Sequence, residues 1–467
     1  MNAMLVSFRI KNFLSFFTDN DGSPVEFSMI AGKAKNKQDH ILETKGMDLL
    51  RFSALFGANA SGKTNLVKAM SFFQQTVVNG MVPTGSMRMF CRQRPENAKI
   101  PSYFEMEICL DGHYYTYGFE VLFMKNAFVS EWLVESFSGG KEDVLFERDI
   151  EKGKNELAKK YVQKASVYLE DIRKDSTALY LKAMNQNKVS FYQENPGYVL
   201  FQNLYNWFTN ALDINYPDRP VSTHDFFMSE DVSNICRAME QFSTGITDFQ
   251  LVEVSMERAF ASLPLEFKSL LASSIEQESI KCRTSLHNGK KHQSTSVIRS
   301  PGELFIIEFD EIKKQMVTKA VQFKHGPTSS WYDFGEESDG MVRLFDLLKI
   351  LLTKQQNKVF VVDELDRCLH PCLTYRFVQE FFHETAQKKN IQLIVTAQES
   401  RLMDFDLLRR DEMWIANRKA DGTSELYSLE EYNIRNDLKV DKAYLDGRYG
   451  GVPLFTTLFP IEGTNAG

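Results

Sequence analysis

The octapeptide Gly57-Ala58-Asn59-Ala60-Ser61-Gly62-Lys63-Thr64 satisfies G-x-x-x-x-G-K-[ST] at every fixed position. An apolar, strand-like run from Leu49 to Phe56 precedes it. Behind it, Leu66, Val67, Ala69, Met70 and Phe73 recur at helical spacing. Strand, glycine-rich loop and helix in that order make a cradle for an anion. The glycines let backbone N–H groups turn inward, and the helix N-terminus adds its dipole. Gly57, Asn59, Ala60, Ser61, Gly62 and Asn65 would surround the phosphates, Lys63 would reach the β- and γ-phosphates, and Thr64 would hold Mg²⁺. A chance glycine turn before a helix is the competing reading, and the flanking pattern weighs against it. The chain is expected to bind a nucleoside triphosphate.

A length of 467 residues suits two compact units, or one large domain with an insertion. The net charge of −7 argues against broad coating of DNA and leaves room for a local basic groove. No apolar run is long enough to span a membrane, and the N-terminus lacks a signal-peptide layout, so a cytoplasmic location is expected. The six cysteines (Cys91, Cys109, Cys236, Cys282, Cys368 and Cys372) form no C-x-x-C pair, which suits reduced thiols. His287 and His292 share a polar segment without metal-spaced partners and read as solvated loop residues.

Three regions are expected: a mixed α/β half at 1–150, a mainly helical insertion at 151–300, and a second half at 301–467. Strands are expected at Leu5–Phe13 and Val25–Met29. Tyr103–Leu110, the Asp111-Gly112 turn and Tyr114–Val121 read as a hairpin. Within the insertion, Leu200, Leu204, Trp207, Phe208, Ala211 and Leu212 form one helical stripe. Leu265–Ile280 reads as another helix, with Pro264 at its start. The polar, partly basic stretch Lys281–Ser300 reads as a loop, with a nucleic-acid or partner contact as the less favoured alternative. Strands return at Leu304–Phe309 and Met316–Phe323.

A second half of the site lies far downstream. Lys358 to Val362 is a buried-strand run ending in Asp363 and Glu364, the Walker B pattern. Asp363 would hold Mg²⁺ and Glu364 would polarise the attacking water. No N-K-x-D guanine-reading motif is present, which favours ATP over GTP. Shortly before it, Ser338-Asp339-Gly340 opens the apolar helix Val342–Leu352, where a serine and a glycine can donate to a phosphate. A helix from Cys372 to about Lys388 and the strand Ile391–Gln398 complete a βαβ unit.

These motifs resemble those of the ABC/SMC-type ATPases of the RecF, OLD and AbiLii/RloA group, many of them bacterial anti-phage proteins. Phe8-Arg9-Ile10-Lys11-Asn12-Phe13-Leu14-Ser15-Phe16 resembles that family's N-terminal strand and turn, which flanks the nucleotide. Ser338-Asp339-Gly340 resembles its signature motif, and Asp363-Glu364 with Leu369-His370-Pro371 its Walker B and D-loop. Tyr444-Leu445-Asp446-Gly447-Arg448-Tyr449-Gly450-Gly451-Val452-Pro453 resembles a C-terminal segment of RloA-like members. The family usually carries Thr-His-Ser at its switch. Here Thr396-Ala397-Gln398-Glu399 stands there, and Gln398 can bond a γ-phosphate without bringing positive charge. Gln93 is the nearest candidate for a Q-loop glutamine. Glu399–Gly467 is too short for the Toprim nuclease domain of OLD proteins, so an effector would be a separate chain.

The resemblance implies an α/β, ABC-type P-loop ATPase head with a mixed sheet, flanking helices and an inserted, mainly helical arm. It implies ATP and Mg²⁺ as cofactors, with Glu364, Lys63 and Gln398 as catalytic residues. Two copies would close on ATP, each lending Ser338 and Gly340 to the other, and could stack further through their arms. The expected role is a nucleotide-driven switch controlling a separate nuclease or toxin in anti-phage defence. Two alternatives stand beside it: a RecF-like or SMC-like DNA-repair ATPase with DNA as a ligand, and a poorly hydrolysing scaffold that sequesters a toxin.

Overall fold

The computed structural model describes residues 3–19, 22–33, 36–137, 140–217, 232–261, 263, 265–287, 295–300, 303–327, 329–386, 390–432 and 439–453. The chain forms two compact units. The first is Met1–Ile214, Gln356–Leu365 and Thr385–Gly467, and the second is Asn215–Gln355 and Asp366–Glu384.

The first unit has a central six-stranded sheet in the order Leu212–Asn215, Lys358–Val362, Ile391–Thr396, Phe52–Phe56, Met413–Arg418, Ser424–Ser428. Lys358–Val362, Ile391–Thr396, Phe52–Phe56 and Met413–Arg418 run parallel, and Ser424–Ser428 closes the edge antiparallel. Their residues are apolar and β-branched because a parallel sheet is covered on both faces. The register sets Val362 opposite Val395 and Thr396 opposite Leu55. The carboxyl ends of three strands therefore meet at one edge, where ligands of open α/β sheets bind.

A second, seven-stranded sheet in this unit is antiparallel wherever its pairings are resolved, and it includes Ala3–Lys11, Ser102–Leu110 and His113–Leu122. The expected hairpin is present, with Asp111 at φ 52° and Gly112 at φ 83°. Both turn residues thus adopt the positive φ of a tight hairpin loop. The helix Lys63–Asn79 packs its apolar stripe on this sheet. Phe73 meets Phe8, Tyr117 and Phe119, and Phe72 meets Phe13 and Phe104. The helix ends at Gly80 (φ 77°), where a Cβ would lie 2.3 Å from the Lys182 side chain.

The first unit extends past residue 151, to Ile214. One buried cluster explains why. Arg148 and Glu131, both without exposed side-chain surface, pair at 3.3 Å. Arg148 also donates to the carbonyls of Ile172, Asp175 and Ala178. Glu131 accepts from the N–H groups of Tyr180 and Leu181 and from the Tyr117 hydroxyl. The segment around 172–181 is thereby tied to the sheet. Trp207, Phe208, Ala211 and Leu212 of the expected stripe are buried in the same unit.

In the second unit Ile246–Val254, Gln315–His325, Glu303–Asp310 and Thr295–Ser300 form an antiparallel sheet. Helices hold more of residues 151–300 than strands do. The expected loop at Lys281–Ser300 is not one loop. The helix Leu265–His287 continues through 281–287, and Thr295–Ser300 pairs with Glu303–Asp310. Buried Ile298 and Phe305 share a core with Ile275, and this tertiary pairing overrides a polar composition. Pro264 and His292 lie outside the described residues. Among the described residues no helix is long and apolar enough to cross a membrane, and no His/Cys/Asp/Glu cluster suits a metal. The cysteines are free thiols.

Replacing Glu131 with alanine leaves the Arg148 charge buried and unpaired. The expected result is a loss of about 3–5 kcal/mol in unfolding free energy by denaturant titration, with new proteolytic cleavage at 172–181.

Candidate functional site

The glycine-rich loop leaves the strand Phe52–Phe56 and enters the helix at Lys63. Its shape needs small residues. A Cβ on Gly57 would stand 2.4 Å from the Ala416 carbonyl oxygen, and one on Gly62 (φ 115°) 2.5 Å from Ser424 Oγ. Ala60 sits at φ 61°. Lys63 is buried at 7% exposure and folds its ammonium back onto the carbonyls of Gly57 (2.6 Å) and Ala58 (3.1 Å). Ser61 Oγ is buried and has no hydrogen-bond partner among the described residues. A buried, orphaned hydroxyl costs free energy unless a ligand meets it. The first-turn amides of the helix likewise have no intrahelical acceptor. These features fit a bound phosphate.

Beside the loop, Thr64 Oγ1 donates to Asp363 Oδ1 at 3.2 Å, and Asp363 is 2% exposed. Thr396 Oγ1 donates to the same carboxylate oxygen at 2.6 Å and accepts from the Glu364 N–H at 2.8 Å. One hydroxyl thus fixes both acids. Glu364 itself adopts φ 47°, the left-handed region that non-glycine residues rarely occupy, and this turns the chain sharply after Asp363. Thr64 and Asp363 would hold Mg²⁺, since a hydroxyl and a carboxylate on one side of a phosphate cradle are the oxygen donors this ion takes. The sequence offered Thr396 only as part of the segment Thr396-Ala397-Gln398-Glu399 at the switch position. Its hydroxyl at the end of a strand neighbouring the Asp363 strand was the available signal.

The opposite wall comes from the N-terminal turn. Asn12 (φ 56°) donates to the carbonyls of Asn97 and Ile100 and accepts from the Cys91 N–H. Phe13 and Phe16 exchange backbone bonds, which throws Leu14 (φ 49°) and Ser15 toward the loop. Ser15 Oγ accepts from Asn65 Nδ2 and from Ser424 Oγ, both at 2.8 Å. Gln93 Nε2 donates to the Gly422 carbonyl at 3.1 Å.

A cleft of about 400 Å³ results, within the range of small-molecule sites. It is lined by Asn59, Ala60, Ser61, Gly62, Lys63, Thr64 and Asn65, by Glu364 and Gln398, and by Leu14, Ser15, Arg92, Gln93, Arg418 and Gly422. Arg92 and Arg418 were not singled out from the sequence, because neither belongs to a motif. Ser338 and Gly340 belong to the second unit. Ser338 caps the helix Asp339–Leu352, its Oγ accepting from the Met341 N–H. Gly340 passes so close to the Cys368 carbonyl that a Cβ would stand 2.6 Å from it.

The C-terminal segment now has a physical setting. Tyr444 donates its hydroxyl to the Gly451 carbonyl at 2.8 Å, and the Gly451 N–H donates to Asn417 Oδ1 at 3.2 Å. Gly451 (φ 67°) lies against Ile415 and Ala416, and a Cβ there would reach within 3.5 Å of Gly57 Cα. The segment therefore braces the first glycine of the loop.

Substituting Thr396 with valine keeps the shape and removes the shared hydroxyl. The buried Asp363 carboxylate loses a donor, with an expected loss of about 1–3 kcal/mol of stability by denaturant titration. Serine at this position is expected to restore most of it.

No curated protein compared with the sequence matches it. Solved structures that resemble the chain include the SmcHead bound to the C-winged helix domain of ScpA. It is 13% identical with a TM-score of 0.39, covering 91% of this chain and 97% of that one. Another is the SMC head domain from Thermotoga maritima, 12% identical with a TM-score of 0.34, covering 91% and 98%. The sequence also matches a protein family over residues 52–163 and 238–404, more than half of the chain and including the Gly57–Thr64 loop and Asp363-Glu364. The protein has a P-loop, a Walker B strand and mixed sheets, and it belongs to the family described as "AAA domain, putative AbiEii toxin, Type IV TA system".

Proposed function

We propose that the protein is an ATP-hydrolysing switch, and that it controls a separate effector protein in anti-phage defence. The observation that carries the enzymatic part is the convergence of three chain-distant segments on one cleft: the loop with buried Lys63, the Asp363-Glu364 pair fixed by Thr396, and Gln398. Mg²⁺, held by Thr64 and Asp363, would neutralise charge on the β- and γ-phosphates. Lys63 would leave the carbonyls of Gly57 and Ala58 and extend along the phosphates, with the Ser61 hydroxyl as a further donor. Glu364 orients the attacking water and accepts its proton. Gln398 hydrogen-bonds the γ-phosphate without adding charge, which favours slow turnover, as suits a switch.

In this reading ATP joins two copies, each supplying Ser338 and the N-terminus of the helix Asp339–Leu352 to the other's nucleotide. The exposure of Ser338 and Asp339 at the start of that helix supports it, because a serine hydroxyl and first-turn N–H groups there can donate to a phosphate. The defence role rests on the family, whose description names a toxin and a toxin–antitoxin system.

The purified protein is expected to hydrolyse ATP, and Lys63→Ala is expected to abolish turnover. Glu364→Gln should retain ATP and accumulate as a dimer in size-exclusion chromatography with ATP and not with ADP. A Glu364→Gln protein that stays monomeric with ATP bound would sink the sandwich. Strong stimulation of turnover by DNA would move the reading to a DNA-repair ATPase.

A further inference from the structure

The two ends of the cleft differ in chemistry. Thr64 faces Asp363, so Glu364 and Gln398 mark the Mg²⁺ and γ-phosphate end. One residue later, Asn65 turns the other way and bonds Ser15, which also holds Ser424. Ser424 is the cross-strand partner of Arg418, and Gln93 reaches across to Gly422. The loop amides of a phosphate cradle hold the α- and β-phosphates. The nucleoside of a bound nucleotide must therefore leave the cradle between Leu14, Arg92, Gln93, Arg418 and Gly422.

Among the described residues, no aromatic side chain and no carboxylate lines that end. It carries two exposed guanidinium groups instead. Their neighbours are occupied: Arg94 is held by Asp19 at 2.7 Å and lies over the Phe17 ring, and Lys419 pairs with Glu425 at 3.3 Å. The Asp421 carboxylate is bonded by the Thr423 N–H and hydroxyl. Among the described residues the side chains of Arg92 and Arg418 make no ion pair and no hydrogen bond. Strand alternation accounts for Arg418, since Asn417 and Lys419 on either side of it both reach Glu425. A guanidinium is planar and weakly hydrated, and it stacks on flat π systems; an ammonium does not. The phosphates already have Lys63, the loop amides and Ser61.

We infer that Arg92 and Arg418 grip the nucleobase, their guanidinium planes stacking on it while Leu14 gives it an apolar contact. The inference rests on the nucleotide-binding reading above. It makes these two arginines specificity residues of the cleft, selecting a nucleoside triphosphate over bare polyphosphate.

Isothermal titration of the full chain with Mg²⁺ tests it, using ATP and inorganic tripolyphosphate as separate ligands. Arg92→Ala and Arg418→Ala are each expected to weaken ATP about tenfold and to leave tripolyphosphate unchanged. Arg92→Lys and Arg418→Lys keep the charge, lose the plane, and are expected to stay weak. Equal weakening of both ligands would overturn the inference, because the arginines would then serve phosphate. Full affinity in the lysine variants, or unchanged ATP binding in the alanine variants, would overturn it too. Lys63→Ala separates the two levels. If wild-type binding does not depend on Lys63, the nucleotide reading fails and the clamp with it; if it does and the arginine variants bind normally, only the clamp fails.

Discussion

The Thr396 hydroxyl is the point on which the site depends. It donates to the Asp363 carboxylate and accepts from the Glu364 N–H, so the side chain of one acid and the backbone of the next are set by one small group on a neighbouring strand. The arrangement works only because Lys358–Val362 and Ile391–Thr396 are parallel and in register, with Val362 opposite Val395. A slip of one residue would turn every side chain to the other face of the sheet. Burial of both strands therefore does more than stabilise a core. It fixes where Asp363 stands relative to Thr64.

The same logic runs through the glycines. Gly57, Gly62 and Gly451 are places where another chain segment comes too close for a Cβ. Two of the approaching segments, at Ala416 and Ser424, belong to one hairpin, and Gly451 is bonded to that hairpin through Asn417. The phosphate loop is thus held from the side by sequence more than 350 positions away: Ala416 against Gly57, and Ser424 against Gly62. Preorganising backbone N–H groups in this manner lowers the ordering cost of binding.

How much of this the sequence disclosed follows from how local each signal is. The phosphate loop, the Asp363-Glu364 pair, the Asp111-Gly112 hairpin and the βαβ unit were legible, because each is specified by neighbours in the chain and by one periodicity. The site's supporting groups were not: Ser424, Arg92 and Arg418 acquire meaning only when separate loops converge. The boundary at Ile214 and Asn215 was illegible for a related reason. The lysines and glutamates after residue 151 read as a change of character, but the buried Arg148–Glu131 pair binds the following segment to the sheet, and a single ion pair leaves no compositional trace. At Thr295–Ser300 polar residues form a strand because an apolar partner, Glu303–Asp310, supplies the pairing.

In the proposed function, Gln398 stands where the resembling ATPases carry a switch histidine. A histidine there can bring positive charge to a γ-phosphate, and with Gln398 in its place the proposed site would have Lys63 and Mg²⁺ as its positive charges at that end of the cleft. The two arginines lie at the opposite end, beside Leu14 and Gly422. On that proposal, positive charge in the cleft would be weighted toward holding the nucleotide and away from the bond that breaks. Interactions present equally in ground and transition states strengthen binding without speeding the chemical step. On the proposed reading, a site built in that proportion would keep its triphosphate long after capture, which is the property a switch needs and a fast motor does not.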